Sequence, residues 1–586
     1  MSLAAEKTLQ FLEQEKAFRL GTLLTESPHP KTLRLGETAQ ADLPAALRML
    51  LSVDEDISPA ARQVFASAPF RELVETLQGT LQSGGRVFFT GCGATGRLSI
   101  LLEALWRRFW QTLEPDALRR WPSLEDRVFS VMAGGDFALI RSVEGFEDFP
   151  AFGRRQLRDA GVKAGDLVIA VTEGGETPFV LGTAWEGLAA GARVFFVFNN
   201  PADQLAAQVV RSAEVIRDPR IVKLDLTTGP MALTGSTRMQ ATTSELLVLG
   251  TALEMALAAL AEKALGLEHA ARLGLARFAP QLQADRLEHL LAELNRPDNV
   301  EALAAFVRLE SDLYREQGLV TYLAHAVLLD GLTDTTERSP TFMVPPFRPE
   351  GDRLAPLSWA FVKDPLRDTP DAWRQLLRRP PRGLTWNSDV YRELGAPEPL
   401  PQRPPQLDNE TIYRFHIGRE ADPDRCGERP HALGVILSDL EDEPGCPLAA
   451  FTAACAAAAL PFARRFNLIV GSAEPAVAGD TFAIRCRPPA SPLGLWHRLA
   501  VKLVLNTAST ATMARTGRIR GNGMIWLSPS NKKLIDRGTR LVAQVTGTSY
   551  EKACLALHEA LAEIEERRGR GEEVVSPVAL AIRRLS

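Results

Sequence analysis

The 586-residue chain has no C-x-x-C pair, no excess of positive charge and no apolar run of membrane-spanning length. Its six cysteines (Cys92, Cys426, Cys446, Cys455, Cys486, Cys554) are scattered, which excludes a zinc-site spacing and points to a reducing compartment. With 67 Lys+Arg against 72 Asp+Glu the net charge is -5, so no global positive field exists to hold a phosphate backbone, and nucleic acid is excluded as a partner. The longest apolar run, Pro447 to Ala463, is Ala-rich, interrupted by Pro461 and shorter than the ~20 residues that cross a bilayer. It reads as a buried helix or strand edge, and no membrane contact is expected. Glu6, Lys7, Glu13, Glu15, Lys16 and Arg19 break up the first twenty positions, so no export signal is read there. The expectation is a cytoplasmic protein with no metal and no cofactor. What is present, 45% hydrophobic and 24% charged residues, fits a folded chain of several domains of ~150 residues each.

From residue 86 an apolar run, a glycine loop and a long helical stretch follow one another: Arg86–Thr90, Gly91-Cys-Gly-Ala-Thr-Gly96, then a helix to about Thr112. Apolar runs at Arg127–Met132, Asp166–Val171 and Ala192–Phe198, separated by helix-like segments, predict a mostly parallel α/β sheet. Residues 241 to 315 read as a helical block rich in Ala, Leu and Glu. Leu319–Leu323, Ala432–Leu437 and Phe466–Val470 are strand candidates of a second α/β half. Seven prolines between Pro380 and Pro405 predict an irregular surface connection, and residues 531 to 586 return to amphipathic helix.

Gly91-x-Gly93-x-x-Gly96 after a strand matches a dinucleotide fingerprint, but no acidic residue follows at the end of a second strand about 20 positions on. The other reading is a phosphate monoester held by the loop N–H groups, the Thr95 hydroxyl and Arg97. Thr234-Gly-Ser-Thr-Arg238 before a helix and Glu173-Gly-Gly-Glu-Thr177-Pro178 after a strand add two further loops that can converge on one small ligand. Tight turns and helix caps are the alternative, lesser account of each loop.

Gly91–Leu98, Ala133-Gly-Gly-Asp with Val143–Asp148, Gly229-Pro with Leu233–Met239, Lys502–Thr510, Gly521-Asn522 and Ser530-Asn-Lys-Lys-Leu534 together resemble the N-acetylmuramic acid 6-phosphate etherase and glucokinase regulatory protein family. Thr25-Glu-Ser27 with Pro30 resembles the family's opening motif more loosely. The resemblance reaches both ends of the chain. It implies two sugar-isomerase-type parallel-sheet sandwiches, flavodoxin-like and doubly wound, in tandem. This pseudo-dimer within one chain divides as an N-terminal helical segment 1–50, a first domain 51–265, a second, degenerate domain 266–530 and a C-terminal helical segment 531–586.

In the etherase pattern a glutamate stands nine residues after the last loop glycine; here that register holds Leu105, whereas the corresponding segment of the second half, Leu323–Phe342, has lost the glycines and keeps Glu337. Nine helical residues place such a glutamate ~14 Å from its own loop, which favours service to the neighbouring half. The family lysine after Ser-Thr-Arg falls on Leu246 in the first half and on Lys502 in the second. The resemblance therefore implies one composite sugar-phosphate site. Its catalytic residues would be Glu147 as base and Glu337 as acid. Its substrate-binding residues would be Gly93, Ala94, Thr95, Arg97, Gly174, Gly175, Thr177, Ser236, Thr237, Arg238 and Lys502, together with Gly96. His325 and His497 read as packing or surface histidines.

The chain departs from the family at Gly174, where the pattern has Ser, at Ala94 and Gln240, and by adding Glu173 and Glu176, two carboxylates beside a dianion. Three functions stand open on the sequence: a lyase cleaving the lactyl ether of N-acetylmuramic acid 6-phosphate by elimination and hydration, a sugar-phosphate sensor acting on a protein partner, and a sugar-phosphate isomerase.

Overall fold

A computed structural model describes residues 2–143, 145–426, 429–440, 448–570 and 575–586. Two five-stranded sheets, parallel throughout, organise it. The first contains β1 (Val87–Gly91), β2 (Val128–Met132), β3 (Leu167–Val171), β4 (Arg193–Phe198) and β5 (Ile221–Asp225), in the order β2-β1-β3-β4-β5. The second contains β6 (Leu319–Leu323), β7 (Ala360–Lys363), β8 (His431–Ser438), β9 (Arg464–Val470) and β10 (Asp480–Ile484), in the order β10-β9-β8-β6-β7. Counted from its own first strand, the second sheet repeats the first as 2-1-3-4-5, the flavodoxin-like doubly wound order. The chain is thus two tandem α/β units. The central strands β1 and β3 are buried along their whole length, which is why they appear in the sequence as unbroken apolar runs.

In an open sheet of this order, ligands gather beyond the carboxyl ends of the strands where the winding reverses, here between β1 and β3. The helix Leu328–Phe342 of the second unit packs at that point of the first: the Thr336 hydroxyl donates to the Leu139 carbonyl at 2.9 Å. The helix Gln240–Leu265 is long and apolar enough to cross a membrane, yet 94% of its apolar window is buried in the molecule, where it packs against Leu495–Arg515. The terminal segments join the units. Helices Leu35–Ala41 and Leu43–Asp54 pack on Leu495–Arg515, and Leu3–Gln14 packs on Tyr550–Gly569.

The proline-rich stretch is more than a surface connection. Arg379 pairs with Asp136 (2.5 Å) and Glu103 (3.0 Å), and Arg382 with Glu103 (2.8 Å), so the segment straps the second unit onto the first. Trp386 stacks on Phe146, while Tyr391 and Leu407 bury in the same aromatic cluster. Proline denies these residues regular hydrogen bonding but leaves their apolar side chains free to pack. The Ala-rich run also differs from expectation. Pro447 and Cys446 lie outside the described residues, and the helix Leu448–Ala458 fully buries only Phe451 and Cys455.

Candidate active site

β1 ends at Gly91, and Cys92 caps the helix Gly93–Thr112. Gly93 adopts φ +52°, a left-handed conformation that disfavours side chains, and a Cβ there would meet no atom within 4 Å. The Gly93 and Ala94 amides belong to the first helical turn, whose donors lack intrahelical acceptors and whose dipole favours an anion. Both residues line a cavity of about 220 Å³. Thr95 does not. Its hydroxyl donates to the Cys92 carbonyl (2.8 Å) and accepts from the Cys92 amide (3.0 Å), closing a capping box rather than facing a ligand.

Four segments bring polar and charged groups to the walls of the cavity: Gly145–Glu147, Gly235–Arg238, Glu337 with Pro340 and Thr341, and Asn531, Lys533 and Arg537 from the start of the helix Lys532–Thr546. Glu144, inside the Val143–Asp148 motif, lies outside the described residues. Gly235 shows why glycine is required in its turn: at φ +75°, a Cβ would stand 2.3 Å from Nε of Arg537. Arg537 is fixed from its other side by Glu26, whose carboxylate it holds at 2.6 and 3.0 Å, with Arg540 adding 2.7 Å. These guanidiniums hold the buried Glu26 carboxyl down at about 2 against the penalty of burial. The Thr25 carbonyl accepts from the Gly235 amide at 3.1 Å, so the N-terminal segment shapes the turn.

Glu337 and Glu147 line one cavity although 190 positions separate them. Burial raises the Glu337 carboxyl above the ordinary range, opposed by Arg97 and Arg238, the latter 3.8 Å away. Burial also raises Glu147, opposed by Lys533; the Asn531 side-chain amide donates to its carboxylate. Arg238 is held by Asp334 (3.2 Å), Ser509 and Thr510 of the second unit. Arg97 is buried with its Nε unpaired, facing Glu337 electrostatically.

The cavity therefore gathers Gly93, Ala94, Arg97, Glu147, Ser236, Thr237, Arg238 and Glu337 of the residues read from the sequence. Gly174, Gly175, Thr177 and Lys502 fall outside its lining, as does Gly96. The Gly174 and Gly175 carbonyls accept from Asn200 (2.9 Å) and Ser212 (2.7 Å), and the Thr172 hydroxyl donates to that of Thr177 (3.0 Å), so this turn is tied into the fold. Lys502 lines an adjoining space of about 50 Å³ that shares Ala94, Arg97, Arg238 and Glu337 with the cavity. Its ammonium donates to the Arg238 carbonyl (3.0 Å), Thr243 (2.7 Å) and Asn506 (2.8 Å), which exhausts its donors, and burial lowers it to about 8. Glu176, a departure that threatened an anion, is neutralised by Arg211 (2.8 Å) and Lys533 (2.7 Å) rather than by Arg97 or Arg238. Asn531, Lys533 and Arg537 have no role assigned from the sequence; the Ser530–Leu534 motif signals the first two, and nothing in it signals Arg537.

The equivalent position of the second unit is closed. Leu105, His325 and Ala326 occupy the places matching Glu337 and the glycine loop, and the space among them is about 20 Å³. His325 is buried and pairs with Asp364 at 2.9 Å.

Two doubly wound parallel sheets in one chain, with a cavity beyond β1 walled by loops of both units, define a tandem sugar-isomerase-type protein. A family model described as the glucokinase regulatory protein N-terminal SIS domain matches residues 70–185. N-acetylmuramic acid 6-phosphate etherases from Parasynechococcus marenigrum, Pectobacterium atrosepticum and Deinococcus radiodurans are 34%, 31% and 35% identical over 237, 233 and 230 residues. These matches cover 40%, 39% and 39% of this chain and 64%, 67% and 66% of the relatives. The chain belongs to the N-acetylmuramic acid 6-phosphate etherase and glucokinase regulatory protein family. It spans slightly less than two thirds of the first of these relatives. Among solved structures, the C-terminal domain of glucosamine-fructose-6-phosphate aminotransferase from Francisella tularensis aligns at a TM-score of 0.42 and 9% identity, over 80% of this chain and 96% of that one.

Proposed function

We propose that this cavity binds the open-chain form of N-acetylmuramic acid 6-phosphate, or a close analogue, and cleaves its lactyl ether. The phosphate would rest on the Gly93 and Ala94 amides and the Ser236 and Thr237 hydroxyls, with Arg97 and Arg238 supplying positive charge. The aldehyde at C1 acidifies the C2 proton. Glu147 takes that proton, the C2–H electron pair forms the C2=C3 bond, and the C3–O bond breaks as Glu337 protonates the departing lactate oxygen. Water then adds at C3. Burial raises both carboxyls, Glu337 against Arg97 and Arg238 and Glu147 against Lys533 and the Asn531 amide, and the family resemblance gives Glu337 the role of acid and Glu147 that of base.

The observation that carries this reading is that Glu337 of the second unit shares one cavity with the glycine loop and Glu147 of the first, while the second unit's own pocket is closed. The test is lactate release from N-acetylmuramic acid 6-phosphate by the full chain. Removing a general acid costs about 10²–10⁴-fold, and Glu337→Gln is expected to lose at least that much with its thermal transition unchanged. Undiminished release from that variant would refute the assignment.

The family name matched by residues 70–185 leaves one alternative to test, in which a sugar phosphate is bound without turnover and its occupancy alters affinity for a protein partner. Saturable binding with no lactate or isomerised sugar formed would select it.

A further inference from the structure

Arg97 is the cation of the cavity wall whose donors the fold leaves unclaimed. It is 3% exposed, and among the described residues it forms no ion pair within 4 Å. Its Nη2 reaches the Leu139 carbonyl at 3.4 Å and the Thr336 hydroxyl at 3.5 Å, both at the limit of a hydrogen bond, and its buried Nε has no partner. The other cations of the wall are held: Arg238 by Asp334 (3.2 Å), Lys533 by Glu176 (2.7 Å) and Arg537 by Glu26 (2.6 Å). A buried guanidinium without an anion is costly. Burial and the neighbouring Arg238 disfavour its charge, and Glu337 favours it. Once Glu337 carries the proton that an acid donates, that support is gone, and completing Arg97 is left to a ligand. The phosphate reading draws on its charge and leaves its donors free.

Arg97 also borders the adjoining space of about 50 Å³, with Ala94, Arg238 and Glu337. The surface of that space is mostly apolar, supplied by Leu98, Leu101, Leu246, Leu329 and Leu505. Its two further carboxylates are already paired, Asp330 with Arg498 and Asp334 with Arg338 (2.9 Å) and Arg238. The Lys502 ammonium adds positive charge while its donors stay engaged within the fold. A water needs about 10–15 Å³, so the space takes a group of a few non-hydrogen atoms and is too small for a hexose. A short arm with an apolar branch and one anionic end matches both linings.

The lactyl ether is such an arm, with one methyl and one carboxylate on the carbon next to the ether oxygen. Glu337 stands where the two spaces meet, and it protonates that oxygen in the reaction above. The arm attached to the oxygen therefore lies on the Glu337 side of the sugar. The geometry points to a lactyl subsite in the adjoining space, the methyl against the leucines and the carboxylate on the Arg97 guanidinium. Arg97 is then the residue that selects a 3-O-lactyl sugar phosphate over one with a free 3-hydroxyl. This assignment rests on the etherase reading above.

The test is calorimetric titration of the full-length Glu337→Gln chain, which holds substrate without turnover, with N-acetylmuramic acid 6-phosphate, its lactyl carboxamide and N-acetylglucosamine 6-phosphate. The acid should bind about tenfold or more tighter than either of the others. Adding Arg97→Met should erase that preference. The comparison of acid with carboxamide needs no second variant to fold. Affinity for the acid no greater than for the carboxamide, or a preference that survives Arg97→Met, would overturn the lactyl subsite; lactate release by the unmodified chain would still carry the etherase reading. No binding of any of the three would overturn both.

Discussion

Glu26→Gln tests how the N-terminal segment holds the cavity together. The Glu26 carboxylate is 3% exposed and receives three hydrogen bonds from Arg537 and Arg540, which hold it down from 4.5 to about 2 against the penalty of burial. That fall corresponds to about 3 kcal/mol of stability at neutral pH. A group depressed in the folded state contributes fully above its unfolded value and loses its contribution as pH falls through the folded one. The contribution should shrink to about 2 kcal/mol near pH 3.5. Urea unfolding of both proteins at about pH 7 and pH 3.5, followed by a probe on the C-terminal helices, reads the difference. The variant should be less stable by about 3 kcal/mol at neutral pH, with a smaller gap in acid. A gap under about 1 kcal/mol, or one that does not change with pH, would refute the claim that this ion pair fixes Arg537.

Three further outcomes follow from the geometry. Gly235→Ala places a methyl 2.3 Å from Arg537 in a left-handed turn that costs about 1–2 kcal/mol, so substrate KM should rise about tenfold or more while the sheets stay folded; an unchanged KM would contradict the placement of Arg537 in the wall. Arg379→Met leaves the buried Asp136 without its ion partner while Glu103 keeps Arg107 and Arg382, and should destabilise the chain by about 3 kcal/mol and expose the strap to proteolysis between residues 380 and 407. If Glu337 is the acid, kcat/KM must fall as pH rises through its raised pKa, so the alkaline limb should lie above the ordinary carboxylate value of 4.5.

The sequence exposed the central strands and the edge strand β2 but concealed the other three edges, for a physical reason. β5, β7 and β10 all lie at sheet edges and are short or partly exposed, so Ile221–Asp225 and Asp480–Ile484 lack the continuous apolar run that marked β1, β3 and β4. The strap shows the converse: its prolines announce irregular backbone, but nothing local announces that Trp386, Tyr391 and Leu407 will bury against the other unit. For the cavity, the register of the etherase pattern that the chain resembles paired Glu337 with the glycine loop. What register could not give was side-chain direction. Thr95 turns back to cap its own helix, and Lys502 spends its ammonium on carbonyl and side-chain oxygens. Nor could it give partners from distant segments, such as the Glu26–Arg537 pair that spans almost the whole chain.

One cavity assembled across two units is the claim on which the rest depends, and a crystal structure of the Glu337→Gln protein with N-acetylmuramic acid 6-phosphate tests it most directly. The account predicts one molecule per chain, its phosphate on Gly93, Ala94, Ser236 and Thr237 and its C2–C3 bond between Glu147 and residue 337. A ligand seated beside His325 in the second unit, or one touching a single unit alone, would contradict it.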